Sequence, residues 1–458
     1  MDLIIKNGEI VTADKTYMAD VGVKGDKIVK IEKNLKADGA EIIDAKGKYV
    51  FPGGIDPHVH LNLFFCGTYS EDWDTGTQAA ACGGLTTIID FAIQAKGKTL
   101  REAVEARKAD AREKVCIDYS LHGGITDWNE RTSKELNYFV SNGIPSFKMF
   151  MIYRKEGWMA DDGILFQALE ETKKNGGMIM VHAESAFILD MLIERYQPQA
   201  KKLGAWGHAV SRPCFTEYEA IQRAITWAGI TGGRLYIVHM STGEGADAVR
   251  AAQMRGVKVW AETCPQYLLL TDSVFKRKDG HLYATCPQIK KKHDQDRLWK
   301  GLEDGEVGIL ATDTCTFTKK QKDMWGGDFT KIPYGLPGME TLVPVMYSAA
   351  VGKKKISLNK FVALTSTNPA KLFGLYPKKG TIAKGSDADI VVFDPNKRVT
   401  VDYTKLATNC DWSPFQGMKL TGYPEVTISR GEIIAKNGKF VGKVGRGNFV
   451  PGKPGGNI

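Results

Sequence analysis

The chain has 458 residues, 43% of them hydrophobic and 25% charged, a mix that excludes disordered and collagen-like classes. Its 62 basic and 53 acidic side chains give a net charge of +9. The bases are scattered among acids rather than clustered with aromatics, which argues against a nucleic-acid binder.

The densest basic run, Lys290-Lys291-Lys292, reads as a solvated loop. No apolar stretch approaches the ~20 residues of a membrane span. Met1-Asp2-Leu3-Ile4-Ile5-Lys6 carries no export signal, so the expected location is cytoplasmic. The eight cysteines lack C-x-x-C spacing and read as reduced thiols, neither disulfides nor a zinc knuckle.

The first 50 residues are β in character. Leu3-Ile4-Ile5, Asp20–Val23, Lys27–Ile31 and Ala40–Asp44 are short apolar or alternating runs punctuated by Gly8, Gly25 and Gly39. Ala388–Asp394 and Val426–Gly431 repeat that pattern near the other end. Two β-rich ends around a different middle predict one β-sandwich built from 1–51 and 376–441.

The middle, 52–375, alternates. Eight apolar strand candidates appear: Tyr49–Ile55, Thr86–Phe91, Ile117–Leu121, Pro145–Phe150, Met178–His182, Leu235–His239, Val257–Glu262 and Val307–Asp313. Helical patterns such as Leu100–Lys114, Ile164–Lys174, Glu217–Ala228 and Gly245–Arg255 lie between them. Continuous apolar strands alternating with helices indicate buried parallel strands. Eight units predict a (β/α)8 barrel, with a doubly wound open sheet as the alternative. Gly53-Gly54 and Gly83-Gly84 lack G-x-G-x-x-G spacing, so no nucleotide loop is read. The Gly-, Pro- and Lys-rich stretch 442–458 reads as an extended arm, either disordered or laid on a neighbouring subunit.

Chemistry concentrates at the strand ends. His58 and His60 follow the first predicted strand, and alternation puts both imidazoles on one side, where they can grip one metal ion. His182 ends the fifth strand, His239 the sixth and Asp313 the eighth. In a barrel these ends converge on one mouth. His122 also follows a strand but has no companion and reads as structural. His208, His281 and His293 read as loop or surface residues. Lys148 stands on the fourth strand in Ser146-Phe147-Lys148-Met149-Phe150, where a charged amine carries a heavy desolvation cost. One reading sends its amine past the core to solvent. The other is reaction with carbon dioxide to give a carbamate, a carboxylate-like anion able to bridge two cations.

The sequence resembles the cyclic amidohydrolases of the amidohydrolase superfamily, specifically the dihydropyrimidinases and D-hydantoinases, over essentially the whole chain. The anchors are Gly53–His60, Gly76–Gly84, Phe147–Phe150, Val181–Glu184, Val238–Ser241, Glu262–Tyr267, Asn368–Gly374 and Gly385–Asp389. The resemblance implies a binuclear site, most often zinc. In it His58, His60 and Asp313 hold one ion and His182 and His239 the other, with carbamylated Lys148 (N6-carboxylysine) and a hydroxide bridging them. It makes Asp313 the proton carrier and Tyr153 the hydrogen-bond donor to the developing oxyanion. Leu63, Phe64 and Phe65 would shape the pocket for the ring substituent. The resemblance also implies a homotetramer or homodimer.

Three places depart from the family pattern. Asp313-Thr314 replaces Asp-His, Pro287-Gln288-Ile289-Lys290 replaces Pro-Pro-Leu-Arg, and Pro333-Tyr334-Gly335 replaces Pro-Asn-Gly. The last two lie where substrate contacts are expected, Tyr334 among them. Asn62 stands where dihydroorotases resemble one another in carrying an arginine. Allantoinases share the metal set without the tyrosine, and a non-catalytic relative would have lost ligands that are intact here. The implied reaction is metal-dependent opening of hydantoins and 5,6-dihydropyrimidines to N-carbamoyl amino acids, with allantoinase-like activity as the alternative.

Overall fold

The computed structural model describes residues 1–458. Eight parallel strands follow one another in space as they do in sequence. They are β1 (Gly54–Val59), β2 (Leu85–Ile93), β3 (Asp118–Gly124), β4 (Ser146–Phe150), β5 (Met178–His182), β6 (Leu235–Ile237), β7 (Val259–Thr263) and β8 (Ile309–Leu310). The ring closes beyond β8, where Val59 bridges Thr314 in parallel and the His60 amide donates to the Thr314 carbonyl at 2.8 Å. The expected (β/α)8 barrel is therefore present and the open sheet is excluded.

Local chemistry sets the helices that cover the barrel. The helix Leu100–Ala111 starts at Thr99, whose hydroxyl accepts from the Glu102 amide while the Glu102 carboxylate accepts from the Thr99 amide. Its Leu100, Val104 and Ala111 face inward, as does Arg107, which pairs with the buried Asp90.

The first predicted strand, Tyr49–Ile55, is two strands. Tyr49–Pro52 belongs to the terminal sheets and β1 to the barrel. The break falls at Gly53, where a Cβ would lie 2.1 Å from the Thr86 hydroxyl, so only glycine permits the crossing. An unbroken apolar run hides that change of sheet. As a result His58 lies within β1 rather than after it. The eighth strand is also shorter than predicted, which leaves Asp313 on the loop beyond β8.

Apart from a two-stranded ribbon of Phe64–Phe65 and Thr68–Tyr69 after β1, the remaining sheets come from both termini. Leu3–Lys6, Asp20–Lys24, Lys27–Glu32 and Glu41–Asp44 form one sheet of four strands. Glu9–Val11, Thr16–Met18 and Tyr49–Pro52 join Ile390–Thr400, Lys419–Ser429, Glu432–Lys436 and Lys439–Phe440 in a sheet of seven. Ile5, Val21 and Val50 share one core with Ile390, Val392 and Ile428.

The arm after 442 lies on its own barrel, contrary to the expectation of disorder or a neighbouring subunit. It runs around the floor, past the starts of successive strands. Tyr119 and Val450, Gly143 and Gly452, and Gly176 and Gly455 are joined by backbone hydrogen bonds, and Val450 is buried among Met178, Phe373 and Leu375. The missed signal is structural: glycines let the arm's backbone approach the floor, and a Cβ at Gly452 would meet the Phe373 carbonyl at 2.4 Å.

Buried charge joins barrel to sandwich. Lys379 Nζ lies 2.6 Å from Asp118, 2.9 Å from Asp387 and 2.6 Å from Asp389, all four side chains being almost fully buried. The three carboxylates resemble a cation cage whose cation is the lysine itself. Lys379→Met should leave Asp389 without a cation, while Asp387 keeps Lys27 and Asp118 keeps Arg430, and cost about 3–5 kcal/mol. Thermal unfolding should show a sharply lowered midpoint, and an unchanged midpoint would deny this cluster its structural role.

Candidate active site

One cavity opens at the C-terminal ends of the strands. Its walls include His60, Lys148, Tyr153, His182, His239 and Asp313, with Leu63, Phe65, Cys286 and Tyr334. It offers about 60 Å³ to the centres of water-sized occupants and adjoins an outer cleft of about 430 Å³. His58 lies directly behind, its Nε2 3.2 Å from Asp313 Oδ1, and His60 Nε2 is 3.4 Å from the same oxygen. The His182 and His239 rings are 4.6 Å apart, and the His58 and His239 rings 5.2 Å apart. The structure thus gathers residues drawn from five strands and the loops after them.

Buried carboxylates aim the histidines. Glu262 on β7 accepts from the His58 Nδ1–H, from the Tyr236 hydroxyl at 2.8 Å and from the His239 amide at 3.0 Å. This turns His58 Nε2 toward the cavity, where it is buried without a hydrogen-bond partner, as is His239 Nδ1. Burial and then the nearby Lys148 charge push the His58 imidazole well below its ordinary pKa, so it is neutral. Neutral imidazole nitrogens without partners beside an aspartate suit a divalent cation.

Lys148 is only 1% exposed, so its amine does not escape through the core to bulk solvent. Its Nζ sits 5.1 Å from the Phe91 ring centroid and 5.3 Å from that of Phe150. Burial draws its pKa below the ordinary lysine value, against the opposing pull of Asp313 and Glu262.

Three residues of the site are held at positive φ: Tyr153 at 61°, His239 at 36° and Asp313 at 53°. None is glycine, and such backbone is costly unless its surroundings impose it. The Tyr153 ring is 5.7 Å from that of His182 and 6.1 Å from that of Phe65. Phe64 turns outward against Tyr69 and lines only the outer cleft.

Other residues fall differently from expectation. Lys290 is buried rather than solvated, and both it and Gln288 donate to the Arg212 carbonyl, behind the cavity wall. His208 is fully buried, with Nε2 donating to the Thr285 carbonyl and its ring 5.0 Å from Tyr334. His122 is buried as expected, held by Ser146 and the Pro57 carbonyl.

Sequence reasoning passed over Glu262, Glu184, Arg212 and Cys286. Glu184 Oε2 lies 2.8 Å from His182 Nε2 and accepts from Arg212 and from the Cys286 thiol, each at 3.2 Å. Burial pushes the Glu184 carboxyl up, but Arg212 and His182 together hold it below its ordinary value. Glu262 was detectable, because an acid that ends an apolar strand is the same signal that singled out His239 and Asp313.

Comparison with known proteins decides the lineage. Residues 49–434 match the amidohydrolase family, and the chain is 43% identical over 455 residues to a D-hydantoinase of Geobacillus stearothermophilus, covering 98% of this chain and 96% of that protein. The chain belongs to the amidohydrolase family. Among solved structures, a dihydropyrimidinase from Brevibacillus agri superposes with a TM-score of 0.98 at 42% identity over 100% of both chains. An L-hydantoinase from Arthrobacter aurescens does so with 0.91 at 32% identity, over 98% of this chain and 99% of that one. Within the amidohydrolases the chain therefore falls among the hydantoinases and dihydropyrimidinases and is a cyclic amidohydrolase, of a family that uses divalent metal. No helix is long and apolar enough to cross a membrane.

Proposed function

We propose that the enzyme opens the ring amide of hydantoins and 5,6-dihydropyrimidines to give N-carbamoyl amino acids. The observation that carries this reading is the convergence of four histidines, Lys148, Asp313 and Tyr153 on one barrel mouth, in a chain whose relatives include both D- and L-hydantoinases and a dihydropyrimidinase.

His58, His60 and Asp313 would hold one divalent ion and His182 and His239 a second, zinc being the first choice for such nitrogen and oxygen donors. When bound, such a pair lowers the pKa of water and polarises a carbonyl. Lys148, its pKa lowered by burial, would add carbon dioxide as the uncharged amine and release a proton, and the resulting carbamate would supply an anionic oxygen donor for such ions. Glu262 keeps His58 in the tautomer that points Nε2 inward. Asp313, its side chain 14% exposed, reaches both the histidines and the cavity, so it can accept the nucleophile's proton and return it to the departing ring nitrogen. Tyr153 donates its phenolic hydrogen to the substrate oxygen as negative charge grows there, and burial, which raises its pKa, keeps that proton on the phenol. Leu63, Phe65 and Tyr334 wall the side on which a ring substituent would lie.

A homodimer or homotetramer fits the exposed Phe187 and Met191 on one helix face with Phe215 nearby, and a monomer by light scattering would contradict it.

Assays with hydantoin, dihydrouracil, allantoin and dihydroorotate test the substrate class. Turnover of the first two should dominate, and turnover confined to allantoin would favour the allantoinase-like alternative. Tyr153→Phe should lower kcat by on the order of 10²–10³ with metal content unchanged. Unimpaired turnover would make the ring a wall only. Lys148→Ala should abolish both full metal loading and activity, with short carboxylic acids restoring part of each. Glu262→Gln should weaken metal binding by about 10–100-fold in equilibrium dialysis. Wild-type affinity in that variant would show that Glu262 does not orient His58.

A further inference from the structure

A second, smaller polar cavity lies directly behind Asp313. Glu71, Thr314, Thr316, Glu340, Thr408 and Ser413 contribute to its wall, which contains no lysine, arginine or histidine. It leaves about 10 Å³ for the centre of an occupant, roughly the room for one water-sized body. Thr314 Oγ1, Thr316 Oγ1 and Glu340 Oε1 are buried there without hydrogen-bond partners. Thr314, which lines it, stands where the resemblance implies a histidine.

The donors define the occupant. Glu71 accepts from the Thr408 hydroxyl at 2.9 Å and the Asn409 amide at 2.6 Å, so its oxygens are engaged. Glu340 Oε2 accepts from the Ala407 amide at 2.8 Å and the Thr408 amide at 3.2 Å, while Oε1 is free. One free carboxylate oxygen with neutral hydroxyl oxygens, in room for a single body, suits a singly charged hard cation. Magnesium would retain several waters, for which this cavity has no room. Burial, and then the neighbouring Glu71 charge, push the Glu340 carboxyl up to about 8, so a cation bound there would take the place of a proton.

We propose that this cavity is a monovalent-cation site, taking potassium or an ion of similar size, which braces the backbone beside Asp313. The Thr314 carbonyl accepts from the His60 amide and its own amide donates to the Thr312 hydroxyl at 3.1 Å. An ion on the Thr314 side chain is thereby linked to His60 of the active site and adjoins Asp313 in the chain. The site stands whatever ring the enzyme opens, because its occupancy is measured without substrate.

Rubidium, a heavy stand-in for potassium, tests it on crystals of the metal-loaded enzyme. An anomalous peak should appear among Thr314 Oγ1, Thr316 Oγ1 and Glu340 Oε1. Replacing tetramethylammonium by potassium at constant ionic strength should raise the melting temperature by about 2–3 °C near saturation. Glu340→Gln and Thr314→Val should each erase that rise, and Thr314→His should fill the space and make stability indifferent to potassium. No rubidium peak, or equal melting in the two salts, would mean the cavity holds only water and would overturn the proposal.

Discussion

A single buried carboxylate organises the mouth of the barrel. Glu262 is fully buried on β7, and its two oxygens are engaged by His58 on β1, by Tyr236 on β6 and by the backbone of His239 just beyond β6. An unpaired charge at that depth would be strongly destabilising, so the three strands are obliged to keep their register around it. The same contacts settle which nitrogen of His58 faces the cavity. Structural necessity and chemical preparation are thus one arrangement.

Around that centre the fold accepts local strain. Tyr153, His239 and Asp313 all occupy left-handed backbone, a conformation that a helix or strand would not impose on them. Each lies on a loop just past a strand, where the rigid ring of β1–β8 holds both ends. Strain of this kind persists where surroundings over-determine it and is concentrated at functional positions. The floor is secured differently, by the arm whose Val450 packs beneath β5 and by the Lys379 cluster that locks β3 to the terminal sheets.

Much of this was legible in the sequence. Strand-length apolar runs separated by amphipathic helices gave the barrel, and polar residues at the ends of those runs marked the histidines and Asp313. The unread parts share a physical cause, since they depend on tertiary neighbours. Gly53 divides one apolar run between two sheets because Thr86 crowds it, which periodicity cannot reveal. Lys290 and His208 look solvated by composition but are buried behind Arg212 and Tyr334. The arm carries no hydrophobic pattern, and its placement comes from backbone contacts that glycine permits. Thr314 was visible as a departure, yet the cavity it lines beside Asp313 appears only when Glu71 and Glu340 converge on it from distant parts of the chain.

The central claim is that four histidines, Lys148 and Asp313 form one binuclear centre. A rival cluster exists nearby, since His182, Glu184 and Cys286 also place donor atoms within 4.8 Å of one another, although the Arg212 charge beside them disfavours a cation. Diffraction from the zinc-loaded, bicarbonate-treated enzyme at the zinc absorption edge separates the two directly. The account predicts two anomalous peaks, one among His58, His60 and Asp313 and one at His182 and His239, with electron density extending from Lys148 Nζ between them. A single peak at Cys286 and Glu184, with a bare Lys148 amine, would contradict it.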